Sequence, residues 1–331
     1  MHVSNICMSL SSVPAQLRQN LRFDGLWWRK FAYLGCVYGP EWWKRYSPPA
    51  IAAIIFALVG RNRRGAIANM ERILDGGSAG ATRAALQMFV QFAHCMTETM
   101  EFYGPRPQPM RLDQPLRDDL VMALRDGRGA VVVTGHFGNW DVAAKTLREY
   151  GRPINVVMAR EVNATTHEYV RAARERAGVR VIYSDTSVFS SLNMIRALQR
   201  NEIVAIQLDR ALGAGGARMV PFFGAPAPFP SGPFVLARLA RAPLIPVFIP
   251  RLGTRHYAIR VCGRFQVTRE ARDARVLDRT MADVVGTFEA VVRKFPRQWF
   301  QFTRFWPAQG DLVAAPVHTH EQPAERMRVR R

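Results

Sequence analysis

Short apolar runs alternate with helix-forming stretches between Pro109 and Phe295. The runs predict strands at Ala130–Val133, Ile154–Met158, Val179–Tyr183, Ile203–Leu208 and Leu244–Ile249. Helical stretches of about ten residues between such strands are typical of βαβ units, in which neighbouring strands are parallel. The sequence therefore predicts an α/β fold with a mainly parallel sheet flanked by helices. An antiparallel pair, Tyr257–Val261 with Phe265–Val267, is expected to close it.

The chain divides into three parts. Its 331 residues exceed the length at which a single core usually stops growing. A break at Gly104–Pro107 separates a predicted helical region, residues 1–105, from the α/β domain, residues 106–310. Residues 311–331 are polar and basic, which predicts a disordered tail.

The N-terminal region has the composition of a membrane-interface segment. Four tryptophans lie beside arginines and lysines: Trp27, Trp28, Trp42 and Trp43. The apolar run Ala50–Val59 is too short to span a bilayer but suits a buried helix or one lying in the interface. Two interpretations stay open, a membrane-associating helical segment and a helical lid that buries its aromatic side chains on the main domain.

The charge points to an anionic partner. The chain carries 46 Lys and Arg against 26 Asp and Glu, a net charge of +20. Such an excess favours a nucleic acid, an anionic membrane, or an acidic protein or substrate. No helix-turn-helix or zinc-finger pattern accompanies it, so we expect no nucleic acid. The four cysteines form no CxxC pair and the histidines lack ligand spacing, so we expect no metal site.

The segment VVVTGHFGNWD, residues 131–141, places a histidine directly after a predicted strand. In open α/β sheets ligands bind at the carboxyl ends of the strands. On a continuous helix the side chains of His136 and Asp141 would point about 140° apart, so a pair requires His136 in the loop and Asp141 in the first helical turn. Asp141 would then hold one imidazole N–H and leave the other nitrogen as a base. Alternatively, Asp141 only complements the helix dipole.

The string GHFGNWD resembles the His-x4-Asp motif of lysophospholipid-acyltransferase-like enzymes. It is most similar to the lauroyl and myristoyl transferases of bacterial lipid A biosynthesis and to their relatives that acylate phosphatidylinositol mannosides. Further blocks resemble this family in the same order: residues 63–74, 174–178, 207–210, 220–248 and 296–306. The resemblance covers about residues 25–307.

The resemblance implies an O-acyltransferase at the cytoplasmic face of the inner membrane, peripheral or monotopic. His136 would be the general base and Asp141 would orient it. A lipid or glycolipid hydroxyl would attack the thioester of acyl carrier protein or acyl-CoA directly. The thioester is then a substrate, no cofactor is implied, and anionic lipids, the acyl donor and the lipid acceptor are the expected partners.

The resemblance also implies a set of substrate-binding residues. They are Arg160, Arg174, Asp209, Arg210, Phe222 and Phe223. The two phenylalanines would line an acyl tunnel, or instead form an aromatic core beneath a loop.

Two other functions remain open at this stage. An acyl-thioester hydrolase would use His136 to activate water instead of a lipid hydroxyl. A non-enzymatic membrane or nucleic-acid binding protein would use only the positive charge.

Overall fold

A computed structural model describes residues 26–74, 77–105, 107–113, 118–142, 151–158, 178–184, 188–210, 216–268, 270 and 273–307. The predicted tail, and the helices predicted at 140–150 beyond residue 142 and at 165–177, lie outside these residues. The N-terminal part of the described chain is helical, as expected. Its helices are α1 (Leu26–Tyr38), α2 (Glu41–Leu58), α3 (Gly60–Leu74) and α4 (Ser78–Phe102). The long helix α4 packs against α1, α2 and α3. Small residues on its buried face, such as Ala81, Ala84 and Ala85, allow the helices to approach closely.

A six-stranded sheet forms the centre of the molecule. Its members are β2 (Ala130–Thr134), β3 (Ile154–Met158), β4 (Val179–Tyr183), β5 (Ile203–Gln207), β8 (Leu244–Phe248) and β11 (Arg260–Val261). The strand order is β11-β8-β2-β5-β3-β4, and only the edge strand β11 runs antiparallel. All five residues of β2 and of β8 are buried, which is typical of parallel strands covered on both faces. The predicted mainly parallel sheet is therefore confirmed.

The flanking elements complete the domain. Helices α5 (Asp118–Arg125), α6 (Val188–Gln199), α7 (Gly232–Ala240) and α8 (Ala274–Lys294) surround the sheet. Helix α8 is amphipathic, and its buried residues include Met281, Val284, Val285 and Phe288. Phe288 stacks on Phe248 of β8 with ring centroids 5.1 Å apart, which fixes α8 beside the central strands.

The expected closing pair of strands is wrong. A small sheet joins β1 (Arg111–Asp113), β10 (His256–Ala258) and β9 (Arg251–Gly253), in that order. Residues 260–261 instead pair with β8, and Phe265 bridges Leu244. Strands β10 and β11 thus belong to two different sheets, so residues 257–261 do not form one strand.

A β-hairpin without a clear sequence signal follows β5, the fourth parallel strand along the chain. It joins β6 (Ala217–Phe222) to β7 (Ala225–Pro230). Prolines interrupt both strands, and Pro221 lies opposite Pro226. A two-stranded ribbon tolerates prolines because each strand has a free edge that needs no N–H donor.

Candidate active site

His136 lies in the loop that follows the central strand β2, as the sequence predicts. Its Nδ1 is 2.8 Å from Oδ1 of Asp209, which follows β5. The backbone N–H of His136 also donates to Oδ2 of Asp209, over 2.8 Å. The carboxylate is 1% exposed, whereas 13% of the histidine side chain is exposed. The imidazole therefore borders solvent on one side and rests on a buried carboxylate on the other.

Strand register explains why these two residues meet. Strands β2 and β5 are parallel neighbours, and Thr134 is paired with Gln207. Continuing that register by two residues places His136 beside Asp209 at the carboxyl ends of the strands. The N–H of Leu208 donates to the carbonyl of Thr134 over 2.8 Å, so the register persists to the edge of the sheet.

Asp209 is held in its ionised form. Burial alone raises its pKa, but the charge of His136, the hydrogen bonds from the ring and backbone of His136, and the indole N–H of Trp299 together bring the pKa below its ordinary value. A carboxylate only accepts hydrogen bonds, so Nδ1 of His136 carries the proton. The lone pair of the neutral ring then lies on Nε2.

The residue on Nδ1 of His136 is Asp209, and not Asp141 as expected. Asp141 lies in the first turn of a helix that begins at residue 140, as predicted, but its Oδ1 accepts a hydrogen bond from the Tyr103 hydroxyl over 3.1 Å. The residue that orients the ring, Asp209, was expected to bind substrate. Asp209 lies at Nδ1 because β2 and β5 are neighbouring parallel strands, so the residues that follow them lie side by side.

Asn139 fixes the start of the helix that carries Asp141. Its Oδ1 accepts from the backbone N–H of Val142, an N-cap bond of 3.3 Å, and from the Thr99 hydroxyl over 3.1 Å. Its amide nitrogen donates to the hydroxyl of Tyr257 and to the carbonyl of Cys95. This buried side chain thus uses both its donor and its acceptor capacity to anchor the loop to α4.

Close backbone contacts hold the histidine loop on its other side. Gly138 has a φ of +58°, and a Cβ there would lie 1.8 Å from the carbonyl oxygen of Ile249. Its N–H donates to the carbonyl of Gln298, and the N–H of Phe300 donates to the carbonyl of His136 over 2.7 Å. The loop therefore requires glycine at 138, since a side chain has neither a favourable φ nor space.

The remaining predicted site residues have different outcomes. Arg160 and Arg174 lie outside the described residues. Arg210 is exposed and directly follows Asp209 at the end of β5. Phe222 is fully buried, stacked on Phe288 and Trp306, and Phe223 packs edge-on against it. The aromatic-core alternative describes their positions, and an acyl-tunnel role remains a prediction.

Three contributors to the site were not predicted: Tyr103, Asn139 and Trp299. Each acts through a contact with a residue more than 35 positions away along the chain. The block containing Trp299 was noted only for its resemblance. Among the described residues, no group of three or more His, Cys, Asp or Glu side chains is arranged to hold a metal ion.

Exposed apolar side chains form a second feature, on α1 and α2. We call them the interfacial surface: Leu34, Tyr38, Trp42, Tyr46, Ile51, Ile54 and Leu58. Trp43 is 36% exposed and also lies beside Gly35 of α1 and Gly39, the residue that follows α1, so this tryptophan helps to hold the two helices together. In the part of the chain that the structure describes, no helix has the length and hydropathy needed to cross a membrane.

Comparison with known proteins places the chain in a family. The chain is 28% identical over 192 residues to a phosphatidylinositol mannoside acyltransferase of Mycolicibacterium smegmatis, covering 58% of this chain and 61% of that protein. A protein of the same name from Mycobacterium tuberculosis H37Rv is 28% identical over 194 residues, covering 58% of each. The chain thus spans about three fifths of the length of these relatives. The family described as bacterial lipid A biosynthesis acyltransferase matches residues 17–307, and the chain belongs to it.

Proposed function

We propose that this protein transfers a long fatty acyl chain from a thioester donor, acyl carrier protein or acyl-CoA, to a hydroxyl of a lipid or glycolipid at the inner membrane. The observation that carries the proposal is the His136–Asp209 pair at the carboxyl ends of two central strands. The exposed side of the imidazole offers a base, and the buried side offers a carboxylate that stabilises its protonated form. Membership of an acyltransferase family supports the same reaction.

The chemistry follows from the tautomer. Nε2 of His136 takes the proton of the acceptor hydroxyl as its oxygen attacks the thioester carbonyl. The tetrahedral intermediate collapses, the C–S bond breaks, and the imidazolium returns the proton to the leaving thiolate. Asp209 lowers the energy of the imidazolium throughout, which is the role of the buried aspartate in a serine-protease triad.

Direct transfer requires no acyl-enzyme. The thiol of Cys95, a buried residue of α4 whose carbonyl accepts from Asn139, has a pKa that desolvation raises to about 12. A thiol in that state is a poor nucleophile because the thiolate is the reactive form. The hydroxyl of the acceptor is therefore the attacking group in the proposed mechanism.

We infer that the protein associates with the membrane from its cytoplasmic face, and the interfacial surface supports the association itself. Its aromatic and aliphatic side chains lie beside the exposed Arg45, Arg61 and Arg64. Arginines near an anionic surface contribute about 1 kcal/mol each, and buried apolar side chains add to this. A lipid or glycolipid acceptor is supported by the relatives, which are named phosphatidylinositol mannoside acyltransferase. For this chain we propose the broader class of lipid or glycolipid hydroxyls.

The decisive experiment measures transfer of labelled acyl chains from acyl carrier protein and from CoA to total membrane lipid. We expect a new acylated lipid with the wild type and its loss in His136→Gln. His256→Gln is the matched control, because His256 forms a second histidine–carboxylate pair, 2.8 Å from Asp113. Free fatty acid lost in His136→Gln, without acylated lipid, would instead identify a hydrolase. Equal turnover in both variants would overturn the proposed base.

Membrane association has its own test. Leu58, 62% exposed, belongs to the interfacial surface, and Leu239, 59% exposed, lies on α7. Removing most of a leucine side chain from an apolar environment costs about 1.5–3 kcal/mol, so Leu58→Ala should weaken binding to anionic vesicles about tenfold or more. Leu239→Ala should leave it unchanged. Equal effects of the two substitutions in a sedimentation assay would show that α2 is not the binding face.

A further inference from the structure

The segment after α8 reaches the catalytic pair. It begins with a short 3-10 helix at Pro296–Gln298 and continues into Trp299, whose indole is fully buried. The indole Nε1–H donates to Oδ2 of Asp209 over 2.8 Å. Residue 299 also forms an antiparallel bridge with Phe137, directly beside His136.

Among the described residues, His136 and Trp299 are the two that donate hydrogen bonds to the Asp209 carboxylate. Oδ2 accepts from the indole of Trp299 and from the backbone N–H of His136, and Oδ1 accepts from Nδ1 of His136. Two donors on one oxygen fix the rotation of the carboxylate about its Cβ–Cγ bond. The other oxygen is then left in the position that receives the imidazole N–H.

The indole itself has little freedom to move. Its ring meets Phe222, Phe288, Phe305 and Trp306 in edge-on contacts, with centroid separations from 5.0 to 5.9 Å. Gln298, the residue before Trp299, is fixed as well. Its side chain accepts from the N–H of Arg251 and donates to the carbonyl of Arg251. The donor is therefore preorganised, which is what a hydrogen bond must be to fix the geometry of a catalytic group.

We propose that Trp299 is a positioning residue for acyl transfer, which fixes the Asp209 carboxylate so that it holds His136 in the Nδ1-protonated tautomer. This inference rests on the proposed function, because the histidine is its base. Trp299 is buried and touches no substrate in this role. Loss of its N–H lowers kcat and leaves KM unchanged.

The first test compares two tryptophans of the same cluster. Trp306 is also buried and also donates its indole N–H, but to the backbone carbonyl of Phe222, over 3.1 Å. Trp299→Phe should lower kcat about 10- to 100-fold, the usual effect of removing a hydrogen bond to a charged group. Trp306→Phe removes the same atoms from the same core and should change kcat by less than about threefold. Equal losses would show that only packing of the cluster matters.

A second variant separates the N–H from the ring. Site-specific incorporation of 3-benzothienylalanine at position 299 keeps the bicyclic shape and replaces the N–H by sulfur. We expect the same loss of kcat as in Trp299→Phe. Full activity with this analogue would overturn the proposal, because the ring alone would then suffice. In an Asp209→Asn background Trp299→Phe should cause little further loss, since residues that act through one another are non-additive.

A spectroscopic measurement distinguishes failure of this inference from failure of the proposed function. ¹⁵N NMR of the imidazole, assigned by comparison with His136→Gln, should show a protonated Nδ1 in the wild type and in Trp306→Phe. In Trp299→Phe we expect a mixture of tautomers or rapid loss of the Nδ1 proton signal. An unchanged spectrum would refute the positioning role even if acyl transfer is confirmed. A changed spectrum in a protein without acyl transfer would refute only the proposed reaction.

Discussion

Replacing Asp209 by asparagine tests the catalytic pair with almost no change in shape. The amide has one acceptor oxygen, whereas three N–H groups now point at the carboxylate, each over 2.8 Å. In one orientation the amide oxygen accepts from the His136 backbone and from Trp299, and its NH₂ group faces Nδ1. The ring must then carry its proton on Nε2, and it cannot act as a base there.

The opposite orientation keeps the active tautomer but removes the acceptor from two buried N–H groups. Each such loss costs about 1–3 kcal/mol, so the productive orientation lies about 2–6 kcal/mol higher. At 1.4 kcal/mol per factor of ten, its population falls about 30-fold to 10⁴-fold. Loss of the charge that stabilises the imidazolium adds to this effect. We therefore expect kcat to fall at least about 30-fold, with KM unchanged because Asp209 is buried.

The assay is acyl transfer at saturating donor and acceptor, combined with NMR of the imidazole nitrogens. Asp113→Asn, which alters the exposed pair with His256, is the matched control and should retain wild-type kcat. Asp209→Asn that keeps more than a tenth of the wild-type kcat, with Nδ1 still protonated, would refute the reasoning about tautomers.

Three further expectations follow from the same contacts. Gly138→Ala should destabilise the fold and abolish transfer, whereas Gly127→Ala, also at positive φ (+73°) but with open space around it, should cost only about 1–2 kcal/mol in urea unfolding. Asn69→Ala leaves one buried backbone N–H and two carbonyls without their partner and should cost about 3–5 kcal/mol, against almost nothing for the exposed Asn62→Ala on the same helix. Because the pKa of Asp209 is lowered in the folded state, its contribution to stability is complete above its unfolded value of about 3.9 and is lost as the pH falls through the folded value. The stability difference between wild type and Asp209→Asn should therefore shrink below about pH 4 in urea titrations.

The sequence predicts the parallel strands well because burial on both faces demands continuous apolar runs. Ala130–Thr134 and Leu244–Phe248 are such runs, and their predicted bounds differ from the observed ones by one residue. The hairpin that contains Pro221 and Pro226 was missed for the converse reason. Prolines normally argue against a strand, and only the isolated two-stranded ribbon makes them acceptable here.

The contact between Nδ1 of His136 and Asp209 was not predicted, because spacing along the chain reports only local neighbours. Asp141 is five residues from His136, whereas Asp209 is 73 residues away. The sequence places Asp141 in a first helical turn and Asp209 after a predicted strand, but it does not give the order of the strands in the sheet. In chain order β5 follows β4, yet in the sheet it lies between β2 and β3. That crossover, which no local pattern encodes, creates the His136–Asp209 pair.

The catalytic loop depends on contacts that join the two ends of the described chain. Asn69 of α3 donates to the carbonyls of Gln301 and Thr303 and accepts from the N–H of Phe305. These bonds fix the segment whose first residues donate to Asp209 and pair with the His136 loop. A displacement of α3 would therefore move residues 301–305 and, with them, the Trp299 indole that donates to the Asp209 carboxylate. For this reason Asn69→Ala should lower kcat as well as stability, although Asn69 itself lies outside the site.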